Sequence, residues 1–144
     1  MINYPLSVYT DGAARSNPGP AAAAFLIYDA TRVILEQGGR FLGHQTNNEA
    51  EYQGVILALD ALTPFVPESP QTVFTVNFYS DSQLIVNQLA GRFKIKQPHL
   101  KDLVLIVHQK IQFLHLTPTF TAIPRTQNAA ADALVNRILD QPSL

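Results

Sequence analysis

The chain has 144 residues, 47% of them hydrophobic, and no cysteine. One globular domain spanning residues 1–144 with a sizeable core is expected, and disulfides, thiolate nucleophiles and cysteine metal sites are excluded. A net charge of −1 and a pI near 6.4 argue against coating nucleic acid by bulk charge, so any such contact must be local. The N-terminus lacks a basic region followed by a long apolar run, and no stretch approaches membrane-spanning length. A cytoplasmic protein without a membrane partner is the expectation.

In chain order, Leu6-Ser7-Val8-Tyr9-Thr10-Asp11 alternates as a half-buried strand would and ends on an acid. Gly12 to Pro20, with two glycines and two prolines, predicts a turn. Ala21 to Tyr28 and Val33 to Phe41 read as the next strands, tightly joined through Asp29-Ala30-Thr31-Arg32, which suggests an antiparallel meander. Thr46-Asn47-Asn48 offers N-cap side chains for a helix from Glu49 to Leu62 that Thr63-Pro64 stops. Tyr52, Val55, Ile56, Leu59 and Leu62 recur at helical spacing and predict its core face.

Phe65 to Gln71, with two prolines, reads as a loop. The β-branched and aromatic run Val73 to Tyr79 predicts a fourth strand delivering Ser80-Asp81-Ser82 into a strand-to-helix turn. A short helix from Gln83 to Leu89 follows, closed by Gly91. His99 to Leu114 predicts another helix, with Leu100, Leu103, Val104, Val107 and Ile111 on one side. Leu116 to Ile123 is a fifth strand and Ala129 to Leu139 a last helix. The predicted architecture is α/β, a five-stranded mixed sheet flanked by helices in the order β-β-β-α-β-α-α-β-α.

That order places the acids. A helix between strands three and four suits a crossover, which sets strand four parallel to strand one and beside it. Asp11 and Asp81 then share one sheet edge. The crossover helix runs antiparallel to strand four, so Glu51 in its early part lies at that edge. If strand five is also parallel, Asp132 joins them from the last helix. Converging carboxylates are tolerable only when they share protons or cations, and hard divalent ions with oxygen ligands are the natural partners. Such a pair of ions suits phosphodiester displacement. Asp29, Asp60, Asp102, Asp140 and Glu36 read instead as solvated surface charges or helix caps.

Four segments carry a resemblance: Tyr9-Thr10-Asp11-Gly12 with Asn17-Pro18-Gly19-Pro20, Thr46 to Tyr52, Tyr79-Ser80-Asp81-Ser82-Gln83, and Asn128 to Leu134. In this order and strand-helix context the chain resembles the type 1 ribonuclease H family over nearly its whole length. The resemblance implies a ribonuclease H-like fold and hydrolysis of the RNA strand of an RNA–DNA hybrid with two Mg²⁺ or Mn²⁺ ions. The products implied are a 5′-phosphate and a 3′-hydroxyl, with no covalent intermediate. It assigns metal binding and catalysis to Asp11, Glu51, Asp81 and Asp132, and selects Glu51 over Glu49. Asp11, Glu51 and Asp81 would hold the ion at the leaving oxygen, and Asp11 and Asp132 the ion that activates water. A monomer without a small-molecule cofactor is expected.

The resemblance also implies substrate contacts. Gly12 and Asn17, in the loop after the first acid, and Asn47 and Asn48 would face the minor groove, where amides can sense a 2′-hydroxyl. Thr46 is an implied phosphate contact; helix capping is the alternative for both Thr46 and Asn48. Asn128, which opens the last matching segment, joins the implied substrate set. Some relatives place a mobile His before the last acid; here Pro124-Arg125-Thr126-Gln127-Asn128 makes Arg125 the only basic candidate.

Arg92, Lys94, Lys96, His99 and Lys101, with Phe93 between them, form one basic segment. It is either a solvated loop or a grip on DNA phosphates, shorter than the protrusion of better-known relatives, so weaker hybrid binding is expected. No separate hybrid-binding module is expected before the catalytic domain. Two rival readings remain: a non-catalytic nucleic-acid-binding domain of the same fold, and a nuclease or transposase-like enzyme acting on another substrate.

Overall fold

The structure, a computed structural model, describes residues 2–141. Five strands form one mixed sheet: β1 (Leu6–Ala14), β2 (Gly19–Tyr28), β3 (Ile34–Gln45), β4 (Phe74–Ser80) and β5 (Leu116–Ala122), in the spatial order β3-β2-β1-β4-β5. The helices are α1 (Asn47–Ala61), α2 (Gln83–Leu89), α3 (Pro98–Leu114) and α4 (Ala129–Asp140). Short 3₁₀ turns at Thr63–Phe65 and Arg125–Asn128 precede β4 and α4. The element order and the meander match the sequence expectation. So does the crossover, with β4 parallel to β1 and β5 parallel to β4. Among the described residues no helix is long and apolar enough to cross a membrane.

Three expectations need correction. The stretch Gly12–Pro20 is not one turn: Gly12 to Ala14 continue β1 and Gly19 and Pro20 begin β2, pairing as far as Ala14↔Ala21. Only Arg15–Pro18 turns, with Ser16 at φ +72° and Arg15 N–H bonded to Pro20 O at 2.8 Å. Backbone pairing simply continues past the acid because nothing in Gly-Ala-Ala opposes it. The third strand outruns Phe41 by four residues. An irregularity between Ala21 and Ala22, with Gly43 at φ +76°, absorbs a register shift and lets pairing resume to Gly19↔Gln45. Asp29 is not a solvated charge: it is buried and accepts from Thr31 N–H, Thr31 Oγ1, Val33 N–H and Asn3 Nδ2, pinning the β2–β3 turn.

The main core lies on the sheet face under α1 and α3. Leu6 and Val8 of β1, Ile27 of β2 and Val76 and Phe78 of β4 meet Tyr52, Val55, Ile56 and Leu59 of α1 and Leu100, Val104 and Val107 of α3. Each fully buried side chain of this kind contributes roughly 1.5–3 kcal/mol. The other face is covered only in part. There α4 packs Val135 and Leu139 on Ala22 and Ala24, whose small side chains let the helix approach. α4 thus leaves much of β1, β4 and β5 on that side open, where Thr117, Thr119 and Thr121 are exposed.

Candidate active site

Side chains alternate across a strand, so Tyr9 and Asp11 of β1 share a face, as do Tyr79 and Asp81 at the end of β4. The register Tyr9↔Tyr79 therefore brings Asp11 and Asp81 side by side just beyond the last paired row. Helix α1 supplies the third acid. Thr46 caps it: its hydroxyl accepts from Glu49 N–H at 3.1 Å, and the Glu49 carboxylate accepts from Thr46 N–H at 2.8 Å. This reciprocal capping box occupies Glu49 at the helix start and leaves Glu51 to face the sheet edge. Thr46 is thus the cap, Asn48 lies inside the helix, and Glu51 is the glutamate at the cleft.

Carboxylate oxygens of Asp11, Glu51 and Asp81 all lie within 4.8 Å of one another. They line a cleft of about 290 Å³ with Gly12, Ala13, Asn47, Arg125 and Asp132, so all four expected acids converge. Asp132 stands at the rim, outside the close trio. Its Oδ1 lies 3.6 Å from Arg125 Nη2, and its Oδ2 accepts from Asn136 at 3.3 Å, one helical turn along α4. Asn136 was missed in the sequence, although its i+4 spacing from an acid was a usable signal.

The electrostatics follow from crowding. Asp11 is 5% exposed, and burial first, then the Asp81 charge, push its carboxyl up to about 7 against the opposing Gly12 N–H. Burial, with Asp11 and Asp81 beside it, raises Glu51 well above the ordinary range, and its buried Oε1 has no hydrogen-bond partner. Burial also raises Asp81, while the Arg125 guanidinium pulls it down. A trio of acceptor groups with raised proton affinity and an orphaned buried oxygen is a site built for a shared proton or a cation. Its hard oxygen donors fit a divalent ion such as Mg²⁺ or Mn²⁺.

The remaining expected contacts separate by depth. Asn17 Oδ1 accepts from Asn47 N–H at 3.0 Å, and Asn47 Oδ1 accepts from Ala14 N–H at 2.8 Å, which ties the β1–β2 turn to the start of α1. Gly12 faces α1 at backbone contact, and Arg125 is exposed at the cleft mouth. Asn128 lies beneath the surface, 1% exposed, where its Nδ2 donates to Thr10 O at 2.9 Å. The basic stretch Arg92–Lys101 forms the exposed α2–α3 connection and the first turn of α3 and does not line the acid cleft.

A family described as reverse transcriptase-like matches residues 9–138. Ribonuclease HI of Halobacterium salinarum is 35% identical over 137 residues, 92% of this chain and 63% of that protein. The bifunctional protein Rv2228c of Mycobacterium tuberculosis is 31% identical over 134 residues, of which this chain spans 35%. The chain thus covers less than two thirds of both. Among solved structures, LC11-RNase H1 in complex with an RNA/DNA hybrid superposes with a TM-score of 0.88 at 37% identity, covering 94% of this chain and 97% of that one. RNase H1 from Halobacterium salinarum superposes with a TM-score of 0.83 at 34% identity, covering 94% and 97%.

Proposed function

Because the chain belongs to the type 1 ribonuclease H family, we propose that it hydrolyses the RNA strand of RNA–DNA hybrids. The reaction would use two divalent ions, Mg²⁺ or Mn²⁺, and leave a 5′-phosphate and a 3′-hydroxyl. The observation that carries this reading is the trio Asp11, Glu51 and Asp81, with oxygens within 4.8 Å and a buried Glu51 oxygen lacking any partner.

Asp11, Glu51 and Asp81 would hold the ion on the side of the leaving oxygen, and Asp11 with Asp132 the other. When bound, such ions lower the pKa of a water nucleophile and stabilise charge on the leaving oxygen. The chain's own groups do the rest. Asp11, fixed between strand and helix, is shared by both positions. Asn128, bonded to the carbonyl just before Asp11, acts as a positioning residue for that carboxylate, a role its burial favours over direct contact with substrate. Arg125 lies where its guanidinium neutralises Asp132 and can meet a substrate phosphate without moving protons.

Because their Oδ1 atoms are engaged within the protein, Asn17 and Asn47 would present amide N–H₂ donors to the hybrid. Donors suit the acceptor atoms of minor-groove base edges and the 2′-hydroxyl oxygen. Asn48 makes no side-chain hydrogen bond among the described residues and has both amide functions to offer. Thr46 can cap α1 and contact a phosphate together, since its oxygen accepts from Glu49 N–H while its O–H remains to donate.

The test is cleavage of a labelled RNA–DNA hybrid with Mg²⁺ or Mn²⁺, wild type beside Asp81→Asn, with single-stranded RNA and double-stranded DNA as controls. Metal-dependent cutting of the RNA strand of the hybrid, reduced at least 100-fold in Asp81→Asn, is expected from the loss of one anionic ligand. Hybrid binding by the wild type without turnover in either metal overturns the enzymatic reading in favour of a binding domain.

A further inference from the structure

Strands β1 and β4 deliver Asp11 and Asp81, yet their pairing stops one row short of the acids, at Tyr9↔Tyr79. Beyond that row β1 continues beside β2 alone, and β4 ends at Ser80. On this face β1 presents Ser7, Tyr9 and Asp11, and β4 presents Thr75, Asn77 and Tyr79. The aromatic rings of the two strands therefore stand only in the row next to the acids. They stack, with centroids 4.9 Å apart at 21°. This stack is the last cross-strand contact between β1 and β4 before the carboxylates, which lie two residues or about 7 Å further on.

The pair is not core packing. Neither hydrophobic cluster includes these rings, which are half-buried on the sheet face that α4 covers only in part. The chain covers them another way. Tyr28 meets Tyr9 edge-on at 5.5 Å and 84°. Exposed Arg32 lies over the Tyr28 ring at 5.0 Å and the Tyr9 ring at 5.9 Å, and its Nη1 donates to Tyr9 Oη at 3.4 Å. Among the described residues no carboxylate pairs with Arg32, so its guanidinium is given to the tyrosines. The turn that presents it is fixed: buried Asp29 ties it through four hydrogen bonds, and Arg32 sits at φ +69°.

The acids need such a brace. Ionised Asp11 and Asp81 repel, and the strands that carry them have no backbone bonds to each other at their own level. A small divalent ion demands ligand distances of about 2.0–2.1 Å and tolerates little misfit. A site of this kind needs its ligands held to within about 0.5 Å by the groups behind them. A stacked pair one row back resists the splaying of the strands that repulsion favours.

We propose that Tyr9 and Tyr79, with Arg32 as their cover, are positioning residues that set the separation of Asp11 and Asp81 for a divalent ion. The proposal rests on the metal-dependent reading for what the acids hold, but it is read on metal binding in the absence of hybrid.

The test is a Mn²⁺ titration of the full chain without nucleic acid, with free Mn²⁺ followed by electron paramagnetic resonance. Tyr79→Leu is expected to raise the dissociation constant about tenfold, the low end of what a ligand loses with its supporting partner. Tyr79→Phe keeps the ring and should stay within about twofold of wild type. Arg32→Gln, an exposed change that leaves the stack itself intact, should weaken Mn²⁺ binding about threefold. The control is Tyr4→Leu, which removes the edge-on Tyr4–Phe74 pair, 6.0 Å apart at 86°, from the far ends of the same two strands. It should lower the urea midpoint and leave Mn²⁺ affinity unchanged. Wild-type affinity in Tyr79→Leu overturns the proposal, as does an equal loss in Tyr4→Leu, since affinity would then only follow overall stability. An equal loss in Tyr79→Phe also overturns it, because the hydroxyl and not the stack would matter. Wild type that takes up no Mn²⁺ sinks the metal-dependent reading as well, whereas cleavage and Mn²⁺ affinity both preserved in Tyr79→Leu sink this proposal alone.

Discussion

A Cβ on Gly12 would lie 2.2 Å from the Ala50 carbonyl carbon and oxygen and 2.6 Å from Glu51 N. Strand β1 and helix α1 therefore touch backbone to backbone at the point where Asp11 and Glu51 face each other. The requirement is for space, since this glycine has an ordinary negative φ. Gly54 repeats the contact one turn on, its ideal Cβ 2.8 Å from Asp11 O. Neither neighbour is a flexible side chain that could swing aside. Gly12→Ala is expected to destabilise the chain by at least about 1–3 kcal/mol, as overpacking does, and to prise Glu51 from Asp11. Urea unfolding and hybrid cleavage should both register it; a variant with wild-type stability would mean that strand and helix can separate freely.

Among the elements, α1 and α2 are joined by one buried hydrogen bond, from Tyr52 Oη to Gln88 Oε1 at 2.5 Å. Tyr52 adjoins Glu51, and α2 follows directly from Asp81, so this bond spans the two helices that carry the acids' neighbours. Burial raises the pKa of the Tyr52 hydroxyl above its ordinary value and holds it protonated. Tyr52→Phe leaves the Gln88 oxygen buried and unpaired, at a cost of about 1–3 kcal/mol. Adding Gln88→Leu removes the orphaned oxygen and should recover much of that loss. Chemical denaturation of the two single variants and the double variant measures it, and strictly additive losses would show that the pair is not coupled.

For the whole molecule, the acid cluster links stability to pH and metal. Asp11 titrates near 7 in the folded chain against 3.8 ordinarily, and Glu51 and Asp81 shift the same way. A raised folded-state pKa means that the folded protein binds protons more tightly. The stability this confers is full below about pH 4 and is lost as pH rises through 7. Asp29, whose pKa is lowered by its hydrogen bonds, acts oppositely but only in more acid solution. Metal-free protein should therefore weaken between pH 5 and 8, by up to about 1.4 kcal/mol per pH unit for each proton involved. Divalent metal at 100 times its dissociation constant should restore about 2.7 kcal/mol at pH 8. Urea midpoints in EDTA and in Mg²⁺ across that range test both; a flat profile in EDTA would contradict a proton-sharing cluster. Activity should fall in acid for the related reason that protons compete with metal for the same oxygens.

The sequence by itself determined what short-range chemistry dictates. Alternation in Leu6–Asp11 and Val73–Tyr79, the helical spacing of Tyr52 through Leu62, and the short links of the meander were sufficient for element order, crossover and the edge on which four acids meet. These patterns record which faces must leave water, and a one-residue slip would turn every side chain to the wrong face. Only the tertiary structure decided the depth of each group. Asp29 reads as a surface acid until its turn folds around it, and the burial of Asn128, with its amide on Thr10 O, depends on a contact between distant segments. For Thr46 and for Asn48 capping stood beside substrate contact as an alternative, and the reciprocal bonds with Glu49 make Thr46 the cap. Tyr9, Tyr28, Tyr79 and Arg32, scattered through the sequence, become one cluster because sheet register sets them together. Burial and partnership arise from contacts between distant segments, and no local pattern encodes the distance between two such segments.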